Sequence, residues 1–178
     1  LYYATEKLNT GTGIMVTGSH NPPNYNGLKM MMGGTTLSGD SIQEIYHIIN
    51  DKLSFRDLGS DSELSITSQY LNEIVDQVRL KKSLNVVVDC GNGVAGDFAP
   101  KLLREIGAKV KELYCDVDGS FPNHHPDPAE PVNLQDLIKS VKENKADIGL
   151  AFDGDGDRLG VVTNLGHIIW PDRLMMLF

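Results

Sequence analysis

Cysteine is scarce in this chain. Cys90 and Cys115 are the only two, and neither belongs to a C-x-x-C pair. At most one disulfide is therefore available, and isolated thiols of this kind suit a reducing, cytoplasmic setting. Long apolar runs are missing too: none approaches the ~20 residues that span a bilayer, which argues against membrane insertion. No basic stretch followed by an apolar one reads as a secretory signal. Positive charge is in deficit, with 16 Lys and Arg against 24 Asp and Glu and a net charge of −8, so the surface as a whole is a poor partner for nucleic acid. Internal repeats and low-complexity tracts are also absent. What remains, 40% hydrophobic and 22% charged residues, is an ordinary globular composition. A length of 178 residues accommodates one large domain or parts of two.

Periodicity and turn residues predict strands alternating with amphipathic helices, an α/β arrangement with mostly parallel pairing in mixed sheets. A helix end at Leu1 to Leu8 is followed by a buried strand at Gly13 to Thr17, an Asn/Pro/Gly-rich loop from Ser19 to Gly27, and a return strand at Leu28 to Met32. Asp40 or Ser41 can cap a helix with Ile42, Ile45, Tyr46, Ile48 and Ile49 on one face. Leu53 to Glu63 reads as a linker. Beyond it come a helix near Ser65 to Val78, a strand at Asn85 to Asp89, a helix at Val94 to Ile106 and a strand at Lys109 to Tyr114. A helix at Leu134 to Glu143 and strands at Asp147 to Phe152 and Leu159 to Thr163 complete the run. The expected domains are residues 1–63, 64–166 and 167–178. The chain opens without Met and stops within an apolar run, so it reads as a piece of a longer protein.

Two short stretches carry chemistry. Thr17-Gly18-Ser19-His20-Asn21-Pro22 offers a hydroxyl on a tight turn. Serine is a poor nucleophile unless a base or a strong field activates it; His20 is adjacent, and Lys29 lies on the returning strand. Taken alone, this is equally an ordinary surface turn with Ser19 as its cap. The second stretch, Asp153-Gly154-Asp155-Gly156-Asp157-Arg158, places carboxylates at alternate positions of a Gly-rich turn, where they can converge on a hard divalent cation. A calcium EF-hand loop is excluded. Its sixth position would be Arg158 instead of glycine, its twelfth Asn164 instead of glutamate, and the flanks read as strands. Crowded carboxylates repel, so an ion or basic partner is the better reason for them. Mg²⁺ prefers six ligands and commonly takes one from a phosphate. A phosphate on Ser19 would supply it, and Arg158 could hold a phosphate oxygen.

Gly91-Asn92-Gly93-Val94-Ala95-Gly96 is a complete G-x-G-x-x-G between a strand and a helix, with Asp116 about 20 residues on. An NAD-binding oxidoreductase domain is therefore the alternative, although such glycines also serve as a plain strand-to-helix turn. The Phe121-Pro122-Asn123-His124-His125-Pro126-Asp127-Pro128 segment, with its adjacent histidines and its prolines, reads as a rigid structural connector.

The combination T-G-S-H-N-P-P-N-Y-N-G-L-K with D-G-D-G-D-R, in this order and with F-P-N-H-H-P-D-P and G-N-G between, resembles the α-D-phosphohexomutases, most closely their bacterial phosphomannomutase/phosphoglucomutase branch. The resemblance covers essentially the whole chain. It implies a four-domain protein of which this chain holds the later part of domain 1, domain 2 and the start of domain 3. It implies Ser19 as the phosphoserine, with Asp153, Asp155, Asp157 and a phosphoserine oxygen binding Mg²⁺. His20 and Lys29 would stand near the transferring group, Lys29 as general acid/base, and Arg158 would follow the metal loop. The implied substrates are hexose 1- and 6-phosphates and their 1,6-bisphosphate. The sugar-recognition and phosphate-binding loops of the later domains do not occur here, so the chain alone is expected to be inactive. A cytoplasmic monomer is expected. Glycine before Ser19 argues against the phosphoglucosamine branch, which more often has alanine there.

Overall fold

Residues 1–51 and 59–177 are described by the structure, a computed structural model. The expected linker falls partly on residues 53–58, outside that description. The chain divides into two units, Leu1–Thr17 with Gly27–Tyr70, and Gly18–Asn26 with Leu71–Phe178. The serine loop is therefore an excursion: the chain leaves the first unit after Thr17, contributes residues 18–26 to the second, and returns at Gly27.

In the first unit, helix α1 (Tyr2–Lys7) precedes an antiparallel sheet of β1 (Gly13–Val16), β2 (Leu28–Met32) and β3 (Thr35–Thr36). Gly13 stands opposite Met31 and Val16 opposite Leu28. Gly33 and Gly34, both with positive φ (57° and 77°), make the two-residue turn that lets β3 fold back on β2. Helix α2 (Asp40–Asn50) begins after Gly39, and no side chain caps it, contrary to the expectation for Asp40 or Ser41. Helix α3 (Thr67–Gln77) starts in this unit, where Tyr70 meets Tyr3 edge-on at 4.9 Å, and ends in the second.

The second unit is built on β4 (Asn85–Asp89), β5 (Lys109–Leu113), β6 (Ile148–Phe152), β7 (Leu159–Thr163) and β8 (Ile168–Ile169), in the order β5-β4-β6-β7-β8. The Val86-Val87-Val88 run makes β4 a central strand buried on both faces, as its unbroken apolar character requires. Alternation sends Val87 to one side and Val86 and Val88 to the other. Val87 packs with Leu134, Leu137 and Val141, the apolar stripe of helix α5 (Gln135–Glu143) and the turn before it. Val86 and Val88 pack with Ala95, Ala99 and Ala108 around helix α4 (Ala99–Glu105). A last short helix, α6, spans Pro171–Leu174.

The α/β architecture and its mixed sheets agree with expectation. Among the described residues, parallel pairing is confined to β4 with β5 and β4 with β6; β6–β7, β7–β8 and the whole first sheet are antiparallel, because loops without a helical crossover join those strands. The helix expected over 94–106 opens as a 3₁₀ turn, Val94–Asp97, and becomes α-helical only at Ala99. Pro100 in the first helical turn explains the break, since its missing N–H is harmless only there. The helix expected at Leu134 is likewise preceded by a 3₁₀ turn, Pro131–Leu134. No described helix is long and apolar enough to cross a membrane.

Candidate active site

Strands β5 and β6 flank β4 on opposite sides, both parallel to it, so the chain reverses direction across the sheet between them. Open α/β sheets take ligands in the crevice beyond the carboxyl ends of strands at such a point. Two loops meet there. The Gly91–Gly96 turn leaves β4, and Asp153–Arg158 forms the hairpin between β6 and β7.

The acidic loop is folded around its first carboxylate. Asp153 is fully buried, and its Oδ1 accepts the backbone N–H groups of Asp157 and Arg158, both at 3.0 Å. Gly156 donates its N–H to the Asp153 carbonyl at 3.1 Å, and its φ of +74° is readily available only to glycine. Asp155 is half-buried and Asp157 exposed, and one oxygen from each of the three aspartates lies within 4.8 Å of the others. Burial pushes the Asp153 carboxyl above its ordinary value; the Arg158 N–H opposes this, while the charges of Asp155 and Asp157 reinforce it. The Arg158 guanidinium bridges outward, with Nε 4.0 Å from Asp153 Oδ2 and Nη1 3.9 Å from Asp127 Oδ1.

Ser19 enters this cluster from the excursion loop. Its Oγ lies 3.3 Å from Asp153 Oδ2, 3.2 Å from Asp155 Oδ1 and 3.2 Å from His20 Nδ1. The backbone is held at φ 50°, a left-handed conformation that costs a non-glycine residue about 1–3 kcal/mol and persists only when its surroundings impose it. Those surroundings are two tight turns, Asn21 N–H to Gly18 O and Tyr25 N–H to Pro22 O, both 2.9 Å. Of the residues singled out from sequence, Ser19, His20, Asp153, Asp155, Asp157 and Arg158 belong to the second unit. Lys29 belongs to the first, on β2 opposite Met15.

Three carboxylates and a serine oxygen make an all-oxygen donor set, which fits a hard divalent cation. The upward shift at Asp153 has a like-charge component that a cation would relieve.

The glycines of the G-x-G-x-x-G turn are explained by the protein's own backbone. A β-carbon on Gly93 would lie 2.8 Å from the Gly154 carbonyl oxygen and 3.0 Å from that of Asp153, and one on Gly96 would collide with the Cys115 carbonyl. Val94 N–H donates to Gly154 O at 3.1 Å, so the turn is a support for the acidic loop. Nothing here favours the dinucleotide alternative.

Sequence reading missed one pair. His124, taken as part of a connector, places Nε2 3.1 Å from both carboxylate oxygens of the buried Asp89 at the end of β4. A polar residue closing an apolar strand was the available signal for Asp89, but its partner lies 35 residues away.

A serine turned toward a tight carboxylate cluster at the switch point of an α/β sheet defines a class of site, and comparison with known proteins gives the family. A family model described as phosphoglucomutase/phosphomannomutase, alpha/beta/alpha domain II, matches residues 68–166, and one for alpha/beta/alpha domain I of the same group matches residues 1–55. The chain belongs to the phosphoglucomutase/phosphomannomutase family. It is 57% identical over 181 residues to a phosphoglucomutase of Neisseria meningitidis, covering all of this chain and 39% of that protein. It is 54% identical over 178 residues to a phosphomannomutase/phosphoglucomutase of Pseudomonas aeruginosa, again across the whole chain and 38% of that protein. The crystal structure of a phosphoglucomutase/phosphomannomutase family protein from Burkholderia thailandensis superposes with a TM-score of 0.91 at 53% identity, covering 94% of this chain and 36% of that one. The chain thus spans less than two fifths of the length of these relatives.

Proposed function

We propose that this chain supplies the phosphoryl-carrying serine and the cation-holding loop of a Mg²⁺-dependent phosphosugar mutase. That enzyme interconverts hexose 1-phosphate and hexose 6-phosphate, of mannose, glucose or both, through a hexose 1,6-bisphosphate. The observation that carries the reading is the approach of Ser19 Oγ to Asp153 Oδ2 and Asp155 Oδ1, at 3.3 and 3.2 Å. A phosphate on that oxygen adds roughly −1.5 to −2 charge beside three carboxylates, a combination that needs a cation to be stable. The names of the relatives point the same way.

In the first half-reaction the free hydroxyl of the hexose monophosphate attacks the phosphorus on Ser19, and the P–Oγ bond breaks. The sugar hydroxyl gives up its proton to Lys29, the general acid/base of this reading. The departing Ser19 oxygen takes its proton from His20, whose Nδ1 lies 3.2 Å from Oγ. Arg158 holds a non-bridging phosphate oxygen by charge-assisted hydrogen bonds. The bisphosphate turns over, and its other phosphate returns to Ser19 with the proton transfers reversed. Mg²⁺, which Asp153, Asp155, Asp157 and an oxygen of the serine phosphate would hold, would supply charge neutralisation to the transferred group.

In this reading residues 1–63, 64–166 and 167–178 belong to successive domains of a longer protein. The chain by itself gives no mutase turnover, because it lacks the loops that orient the sugar.

Mass-spectrometric phosphosite mapping of the full-length parent tests the reading, before and after incubation with a hexose 1,6-bisphosphate and Mg²⁺. Phosphate on Ser19 that is lost to excess hexose monophosphate, and never acquired by Ser19→Ala, is the expected result. A Ser19 that cannot be loaded sinks the mechanism.

A further inference from the structure

Besides its internal hydrogen bonds, the acidic loop is supported by two neighbouring segments. One is the Gly91–Gly96 turn, which presses on Gly154 through Gly93 and Val94. The other is the segment Pro126-Asp127-Pro128. Pro126 is fully buried, and its Cγ lies 3.6 Å from where a β-carbon on Gly154 would sit. Asp127 faces Arg158 at 3.9 Å, and Pro128 Cβ would lie 2.8 Å from a β-carbon on Gly160. This second segment thus approaches the acidic loop at Gly154, at Arg158 and just beyond at Gly160.

Both supports are anchored on one buried carboxylate. Asp89 is 1% exposed, a burial that strongly disfavours a charge unless it is paired and hydrogen-bonded. Its Oδ1 accepts the N–H of Gly91 at 2.9 Å, which fixes the start of the first support. Both its oxygens face His124 Nε2 at 3.1 Å, and His124 Nδ1 lies 2.9 Å from the His125 carbonyl oxygen. A hydrogen-bonding oxygen stands at each ring nitrogen, which holds the ring in a single orientation. Tyr114 closes against its edge at 5.4 Å and donates its hydroxyl to Asp136 at 2.8 Å. Two residues after His124 the chain reaches Pro126, and Gly91 receives both: a β-carbon there would lie 2.9 Å from Pro126 Cβ and 3.2 Å from His124 Cε1. Among the contacts described for Asp89 and His124, none involves Ser19 or the three aspartates of the loop.

We infer that the Asp89–His124 pair positions the cation-holding loop: by tying the Gly91 turn and the Pro126 segment to one carboxylate, it sets Gly154 and Arg158, and through them the convergence of Asp153, Asp155 and Asp157. The pair consists of positioning residues, acting on the cation through the two segments it anchors. This rests on the proposed reading of the acidic loop as a divalent-cation site.

The test is Mn²⁺ binding, read by the electron paramagnetic resonance signal of free Mn²⁺, with circular dichroism confirming that each variant is folded. Asp155→Asn serves as the control that removes a ligand. Asp89→Asn and His124→Ala should each weaken Mn²⁺ binding by about 10- to 100-fold, the range for groups that orient metal ligands. The double variant should be little worse than either single one, because the two act as a unit. His124→Gln, which keeps an N–H donor, should recover most of the loss. Wild-type affinity in folded Asp89→Asn and His124→Ala, alongside loss of binding in Asp155→Asn, overturns the positioning role and leaves the cation site standing. Wild-type protein that binds no better than Asp155→Asn overturns both. Should His124→Ala fail to fold, Pro126→Ala trims the ring that approaches Gly154 without altering the buried carboxylate, and wild-type affinity in that variant overturns the proposal.

Discussion

The backbone oxygen of Ser19 occupies the space beside Gly154 where a side chain would have to go. The serine turn and the acidic loop therefore meet main chain to main chain, and the short distances from Ser19 Oγ to Asp153 and Asp155 depend on that closeness. Gly154→Ala should force the two loops apart. The expected result is a loss of about 1–3 kcal/mol in urea unfolding, the cost of overpacking a close contact, together with failure to load phosphate on Ser19 in the parent protein. A fully stable Gly154→Ala protein would show that the loops are not held this tightly.

The three aspartates should differ in what they contribute to folding. Asp153 is buried and satisfies two backbone N–H groups, so Asp153→Ala leaves those donors unpaired and should cost about 1–3 kcal/mol. Asp157 is exposed and adds to the repulsion felt at Asp153. Asp157→Asn should be neutral or slightly stabilising without metal, within about 0.5 kcal/mol, while weakening cation binding. Urea melts with and without Mn²⁺ separate the two effects.

Stability should carry a histidine signature. Burial alone would lower the His124 pKa, but the hydrogen bonds to Asp89 and the His125 carbonyl, with the charges of Asp89 and Asp136, outweigh it and leave the value raised above 6.5. A raised histidine contributes its full stabilisation below the ordinary value and loses it as pH climbs through the folded one. The urea midpoint should therefore fall as pH rises above about 6.5, and His124→Gln should flatten that part of the curve.

Cys90 and Cys115 bring their sulfurs to 3.4 Å, and the pair is unequal. Their hydrogen bond, with burial, raises the Cys90 thiol far above its usual range and, in the opposite sense, lowers Cys115 in spite of its own burial. Limiting iodoacetamide should modify the half-buried Cys115 at least about tenfold faster than the buried Cys90, as peptide mass mapping would show. Equal rates would rule out this asymmetry.

Much of this was legible in the residues themselves. Alternating Asp and Gly after an apolar strand can be read locally, and so can a serine among Gly, Asn and Pro; the structure brings those residues together in one cluster. The Val86–Val88 run announced a strand for the same reason; its central place did not show until the sheet was assembled. What escaped depends on distant chain. Asp89 and His124 look unremarkable until β4 and the connector are side by side. Residues Thr35–Thr36 and Ile168–Ile169 are too short for a period to register, yet each pairs with a neighbouring strand. The antiparallel pairings followed from loop lengths, whereas the alternation of helices and strands pointed to parallel ones.

The place of β4 in the sheet bears on when the site comes into being. Val86 pairs with Val110 on one side and with Ile148 on the other, so β6 reaches its seat only after a long stretch of chain has closed into a loop. Until then the acidic residues have neither the Gly93 turn nor the Pro126 segment to fold against, and a cation has nothing preassembled to grip. Opening the crevice and unfolding this unit should then be nearly the same event. The Asp157 and Arg158 amides, bonded to Asp153, should exchange with solvent almost as slowly as those of the central strand.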